Sequence, residues 1–122
     1  MSDLPHPVEL SDRVIDSGVA EPPHNRVIDA LTEVEDDVAI VESFSHCWAL
    51  RTDDGLVCVD SSGTGTGAEV VAALRGWSTD PVHTLVYTHG HLDHVGGSGA
   101  FVADAADRKH QRPTFVSHEA VP

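Results

Sequence analysis

Thr88-His89-Gly90-His91-Leu92-Asp93-His94-Val95-Gly96-Gly97 places three imidazoles and one carboxylate within six consecutive positions. Imidazole nitrogen and carboxylate oxygen are the donor types that zinc accepts. His89 and His91 lie two apart, so in an extended segment both side chains point to one side and can grip one ion. Asp93 and His94 follow after the chain turns, where they could face a second ion or hold the water between two. Gly90 lets the backbone pass close to the metals, and Gly96 and Gly97 permit a tight turn into a following helix. Isolated histidines are usually ordinary surface residues, but four ligand-type side chains at this spacing make that reading remote.

Working outward, His83 to Thr88 (HTLVYT) is a short β-branched and aromatic run that reads as a buried strand feeding the motif. Asp80-Pro81 breaks the chain before it. Farther upstream, Thr66-x-x-Glu69 has capping-box spacing, and Val70, Val71, Leu74 and Trp77 recur at helical spacing up to Gly76, which predicts a helix over 67–75. Ser61 to Gly67 (SSGTGTG) is a flexible lead-in to it. His46 to Arg51 and Leu56 to Asp60 flank Thr52-Asp53-Asp54-Gly55, a hairpin signal that predicts an antiparallel pair over 46–60. Val38 to Glu42 (VAIVE) is a further strand. Downstream, Gly96 to Ala106 reads as a loop and short helix, and Thr114 to Ser117 as another strand. This order, a meander of strands and then strand, helix, strand, helix, strand, predicts an α/β fold.

The first 26 residues carry Pro5, Pro7, Pro22 and Pro23 and no sustained apolar period, so they are expected to form an irregular arm, with a domain over 27–122. His6, His24 and His46 are expected to be exposed, and His83 structural or exposed. Phe44, Trp48, Tyr87, Phe101 and Phe115 are expected in the core.

With 20 Asp and Glu against 7 Lys and Arg, the formal net charge is −13, which repels a phosphate backbone and argues against a nucleic-acid partner. No apolar run reaches the roughly 18 residues that a membrane span needs, and Met1 to Asp12 lacks the charged and apolar regions of a secretory leader. A cytoplasmic protein acting on a small molecule is the expectation. Cys47 and Cys58 are too few for a disulfide framework and are expected to be reduced core residues, although their strands pair.

His89-x-His91-x-Asp93-His94 followed by Gly96-Gly97 resembles the metal signature of the metallo-β-lactamase superfamily. Leu56-Val-Cys-Val-Asp60-Ser-Ser-Gly63 is similar to that family's earlier strand, which ends in a buried Asp supporting the metal loop. The resemblance covers about 38–119 and implies the N-terminal half of an αββα sandwich with a dinuclear site at its edge. It implies that His89 and His91 hold one zinc and Asp93 and His94 a second, with Asp93 also orienting the attacking water as the catalytic residue. Asp60 would act from behind the ligands. Iron or manganese would suit the same donors.

The family completes its site from a second half, with a third His, a bridging carboxylate and another His. Here only His110, His118 and Glu119 follow the signature, and they are expected to be capping or surface residues. The domain is therefore expected to be incomplete at its C-terminus, with an apolar sheet face open to association. Three functions stand side by side. The first is a metal-dependent hydrolase of an ester, thioester or related bond, of which this chain is a fragment. The second is a non-catalytic metal-binding or self-associating half-domain. The third is a redox di-iron member of the same fold.

Overall fold

A computed structural model describes residues 4–20 and 26–121, so the expectations for Pro22, Pro23 and His24 lie outside the described residues. Six strands form one sheet: β1 (Ala30–Glu35), β2 (Val38–Glu42), β3 (Cys47–Thr52), β4 (Gly55–Val59), β5 (Val82–Val86) and β6 (Thr114–Val116). Their spatial order equals their sequence order. The first four strands pair antiparallel, whereas β4, β5 and β6 run parallel. The parallel steps need crossover connections. α2 (Gly67–Trp77) supplies the first, and α3 (Leu92–Val95) with α4 (Ser98–Arg108) the second. The α/β expectation holds.

The predicted hairpin is the β3–β4 pair. Asp54-Gly55 closes it, with Gly55 at φ 123 and the Thr52 hydroxyl donating to the Gly55 carbonyl at 2.6 Å. One sheet face carries Val41, Cys47, Ala49, Leu56, Cys58 and Leu85, which pack with Val70 and Leu74 of α2 and Phe101 of α4 to form the core. Both cysteines are buried free thiols, as expected. Arg75 of α2 clamps the two helices together: it meets Asp104 of α4 at 2.7 Å, both side chains being largely buried, and also donates to the Ser78 and Asp80 carbonyls.

The other sheet face is apolar too. Ile40, Trp48, Val59, Val86 and Val116 align in one cross-strand row. Trp48, Leu50 and Val116 on it are 39%, 37% and 46% exposed, so no layer covers them among the described residues. Only Ile40, at the β2 end, is buried; it shares a groove with Pro7, Leu10, Val14 and Ile15.

Several expectations need correction. The N-terminal arm is not irregular throughout, because residues Pro7–Ser17 form helix α1. Pro7 sits in its first turn, where a proline costs no hydrogen bond, and His6 caps it by accepting from the Val8 amide at 3.2 Å. The arm is also tied to the sheet: the Arg26 guanidinium grips the buried Glu42 carboxylate at 2.6 and 2.7 Å and donates to the Pro5 carbonyl at 2.9 Å. β1 has no counterpart in the sequence reading. α2 runs to Trp77 instead of 75, and its capping box does not form. The Thr66 hydroxyl is drawn instead to Ser62 Oγ, 2.7 Å away, and accepts from the Gly63 amide. α4 is a full three-turn helix where a short one was expected. Phe44 at 57% and Trp48 at 39% exposure lie outside the core, whereas Phe101 is fully inside and Tyr87 and Phe115 pack against it. His46 is half-buried and accepts from the Ser43 amide at 3.3 Å. His83 is exposed, as expected.

Candidate metal centre at the ends of the parallel strands

Parallel strands gather loops at their carboxyl ends, and ligand sites form there. Asp60 leaves the end of β4, and Thr88 and His89 leave the end of β5. Asp60 is buried and adopts φ 62, a left-handed backbone that few non-glycine residues take. Its amide donates to the Val86 carbonyl at 2.7 Å. Asp60 Oδ1 accepts the Thr88 amide at 2.8 Å, and Oδ2 accepts the Thr88 hydroxyl at 2.7 Å. The same Oδ2 lies 2.7 Å from His94 Nδ1. One carboxylate thus joins the end of β5 to the last histidine of the motif.

His91 stands at the N-cap of α3, and Asp93 and His94 occupy that single turn. The His89 ring centroid lies 4.6 Å from that of His91 and 4.0 Å from that of His94. The expectation that His89 and His91 share a side is met. His94 Nε2 lies 3.4 Å from Asp93 Oδ2. No three His, Cys, Asp or Glu side chains stand as a metal-holding group among the described residues. The motif therefore brings its donors into one patch without closing them around a point.

The chemistry of the set still suits a divalent cation. His94 turns Nδ1 to the Asp60 carboxylate, which leaves Nε2 as the ring nitrogen on the side of Asp93. That is the arrangement in which an imidazole binds metal. The Ser45 hydroxyl, which donates to Asp93 Oδ2 at 2.8 Å, holds the Asp93 carboxyl below its ordinary range; burial opposes this, and His94 and His91 reinforce it.

The glycines act by proximity and not through special dihedrals. A Cβ on Gly97 would fall onto the Ser61 carbonyl oxygen and lie 3.0 Å from the Gly67 Cα. Gly96 has an ordinary helical φ of −65. Together they let the motif loop press against the β4–α2 loop, where the Ser61 amide and hydroxyl both donate to the His94 carbonyl, at 2.8 and 3.0 Å. Tyr87 and Ser98 are joined by their hydroxyls behind that contact. Gly90 faces Val121, with 3.4 Å from a would-be Cβ to Cγ2.

Sequence reasoning missed Ser45. It sits in the β2–β3 loop, 48 residues from Asp93, and its hydroxyl also lies 3.2 Å from His94 Nε2. No residue type or spacing marks it; only the fold brings it in. Its neighbour Phe44 instead borders a shallow hollow with Gly63, Thr64, Thr66, Leu92 and Asp93. His118 makes a local turn, accepting from the Ala120 amide at 3.1 Å, and Glu119 is exposed, in keeping with a capping and surface role.

The family model of the metallo-beta-lactamase superfamily matches residues 40–110, more than half of the chain, from within β2 through α4, and includes Ser45, Asp60 and the whole His and Asp motif. The chain belongs to the metallo-beta-lactamase superfamily. Members of this superfamily are in general metal-binding hydrolases. This member is 39% identical over 68 residues to the 2,4-dinitroanisole O-demethylase subunit alpha of Nocardioides sp., covering 54% of this chain and 21% of that protein. It is 36% identical over 56 residues to the linear primary-alkylsulfatase of Pseudomonas sp., covering 45% of this chain and 11% of the other. Among solved structures, the stereoselective inverting sec-alkylsulfatase of Pseudomonas sp. aligns with a TM-score of 0.54 at 25% identity, over 67% of this chain and 14% of that one. A subclass B3 metallo-beta-lactamase of Bradyrhizobium japonicum aligns with a TM-score of 0.56 at 19% identity, over 76% and 35%, which speaks to the fold alone. The chain spans about a fifth or less of the curated relatives it matches.

Proposed function

We propose that this metallo-beta-lactamase superfamily chain supplies one half of a zinc-dependent hydrolase centre, which water uses to cleave an ester, thioester or related bond. The observation that carries the reading is His94, held by Asp60 through Nδ1 at 2.7 Å with its Nε2 beside Asp93. In this reading His89 and His91 hold one ion and Asp93 and His94 another. A bound zinc supplies Lewis acidity, which polarises the bond under attack and lowers the pKa of water toward about 7. The protein's own part is positional. Asp60 holds the His94 ring, Thr88 anchors Asp60 to β5, and Asp93 orients the attacking water through its carboxylate.

Two observations support a half-centre. The sheet face with Trp48, Leu50 and Val116 lacks a covering layer among the described residues. The chain matches small parts of longer relatives. Further polypeptide would both cover that face and complete the ligand set. The names of two relatives, an alkylsulfatase and an anisole O-demethylase, favour a substrate that joins an apolar group to a leaving group through oxygen. We place the protein in the cytoplasm, since both cysteines are free thiols and no helix among the described residues is long and apolar enough to cross a membrane.

A second reading has an observation of its own. The aligned row from Trp48 to Val116 is an apolar strip on an uncovered sheet face, on which two copies could pair without catalysis. Zinc content measured alongside hydrolysis of a nitrophenyl ester, a thioester and an alkyl sulfate separates the two. Turnover that follows zinc supports the hydrolase. Bound zinc and dimers with no turnover, even when a second half is supplied, support the module.

A further inference from the structure

We propose that Ser45 is a positioning residue of this centre, whose hydroxyl holds Asp93 and His94 together before any cation arrives. The inference rests on the metal-centre reading of the motif and adds a residue from outside it. His94 Nδ1 lies 2.7 Å from Asp60 Oδ2, so Nε2 is the ring nitrogen on the Asp93 side, 3.4 Å from Asp93 Oδ2. These two atoms are the donors that the motif offers to one cation.

Ser45 bridges them. Its Oγ stands 2.8 Å from Asp93 Oδ2 and 3.2 Å from His94 Nε2, so its one hydrogen serves the charged oxygen and remains within reach of the nitrogen. The one hydroxyl thus touches both donor atoms and sets their separation.

The support for Ser45 is itself built. The Ser45 amide donates to Ser62 Oγ at 3.3 Å, Ser62 donates to Ser43 Oγ at 3.2 Å, and Ser43 donates to Asp29 Oδ1 at 2.6 Å. Ser43, Ser45 and Ser62 are 0%, 8% and 0% exposed. Ser62 adopts φ 61, a backbone costly for serine and retained here where its hydroxyl joins the β2–β3 loop to the β4–α2 loop. This largely buried chain holds the Ser45 backbone through its amide, and so fixes the point from which the Ser45 hydroxyl reaches Asp93.

The test uses the full chain as Ser45→Ala and Ser45→Thr, with two readouts. In metal-free protein, three-bond couplings to Asp93 Cγ measured by NMR report its rotamer. Wild type and Ser45→Thr are expected to hold one rotamer, and Ser45→Ala to average between several. With cobalt(II) alone as probe, Ser45→Ala is expected to bind about 10-fold more weakly and with altered visible bands, and Ser45→Thr to restore both. A single unchanged Asp93 rotamer in metal-free Ser45→Ala would overturn the role of Ser45. Failure of wild type to take up cobalt would count against the metal-centre reading instead, and the rotamer measurement would still decide for or against Ser45.

Discussion

Asp60 Oδ2 and His94 Nδ1 meet at 2.7 Å across 34 residues of chain, and this contact ties the end of β4 to the last ligand-type residue of the motif. Asp60 also receives both donors of Thr88. Asp60→Asn keeps the shape but turns an amide N–H toward Thr88 or His94, each of which needs an acceptor. Metal affinity should fall roughly 10- to 100-fold, as for other residues that orient a ligand from behind. Competition with a chelating dye measures it; unchanged affinity would remove Asp60 from the site.

Gly97 and Gly99 sit two residues apart and should respond oppositely to alanine. At Gly97 a Cβ collides with the Ser61 carbonyl, whereas at Gly99, inside α4, nothing lies within 4 Å. Gly97→Ala should cost about 1–3 kcal/mol, and Gly99→Ala should gain up to about 1 kcal/mol. Urea midpoints of the two variants check both signs.

Acid should weaken the α2–α4 clamp. Burial alone would raise the Asp104 carboxyl, but the hydrogen bonds and charges of Arg75 and Arg108 outweigh it and hold the group below its ordinary value. A carboxylate depressed in the folded state contributes stability that is fully present above the unfolded value near pH 4. That contribution is lost as pH falls through the lower folded value. Asp104→Asn should therefore be less stable than wild type at pH 6 and lose less between pH 5 and pH 3 in urea titrations at stepped pH. Parallel curves would contradict the clamp.

The open sheet face should make the chain associate. Trp48, 39% exposed, lies mid-row between Ile40 and Val59. Trp48→Lys should weaken self-association on the order of tenfold or more while leaving the fold intact. Sedimentation across a concentration series reads this directly, and identical behaviour of the two proteins would discount the face.

The parts of this molecule legible in its sequence are those governed by local chemistry. Asp54-Gly55 between apolar runs specifies the β3–β4 hairpin whatever surrounds it, and the β-branched run before Thr88 specifies β5. The dense His and Asp spacing marks the candidate site without any fold. Elements that depend on context were missed. β1 (ALTEVE) alternates without a strong apolar face because it is an edge strand, covered by α2 on one side. α1 is obscured by the neighbouring prolines, of which Pro7 in fact starts it. Thr66 has the right spacing for a capping box, but neighbouring Ser62 competes for its hydroxyl. Ser45 has no local signature at all, since its partners come from 48 and 49 residues away.

The central claim is that His89, His91, Asp93 and His94 hold metal. Equilibrium dialysis of the chain against zinc, followed by elemental analysis, tests it most directly when wild type is compared with His94→Ala and His91→Ala. The account predicts at least one zinc per wild-type chain and a sharp loss of zinc in each variant, with the β3–β4 hairpin still folded. Equal zinc content in all three proteins, or none in wild type even with a second half supplied, would contradict it.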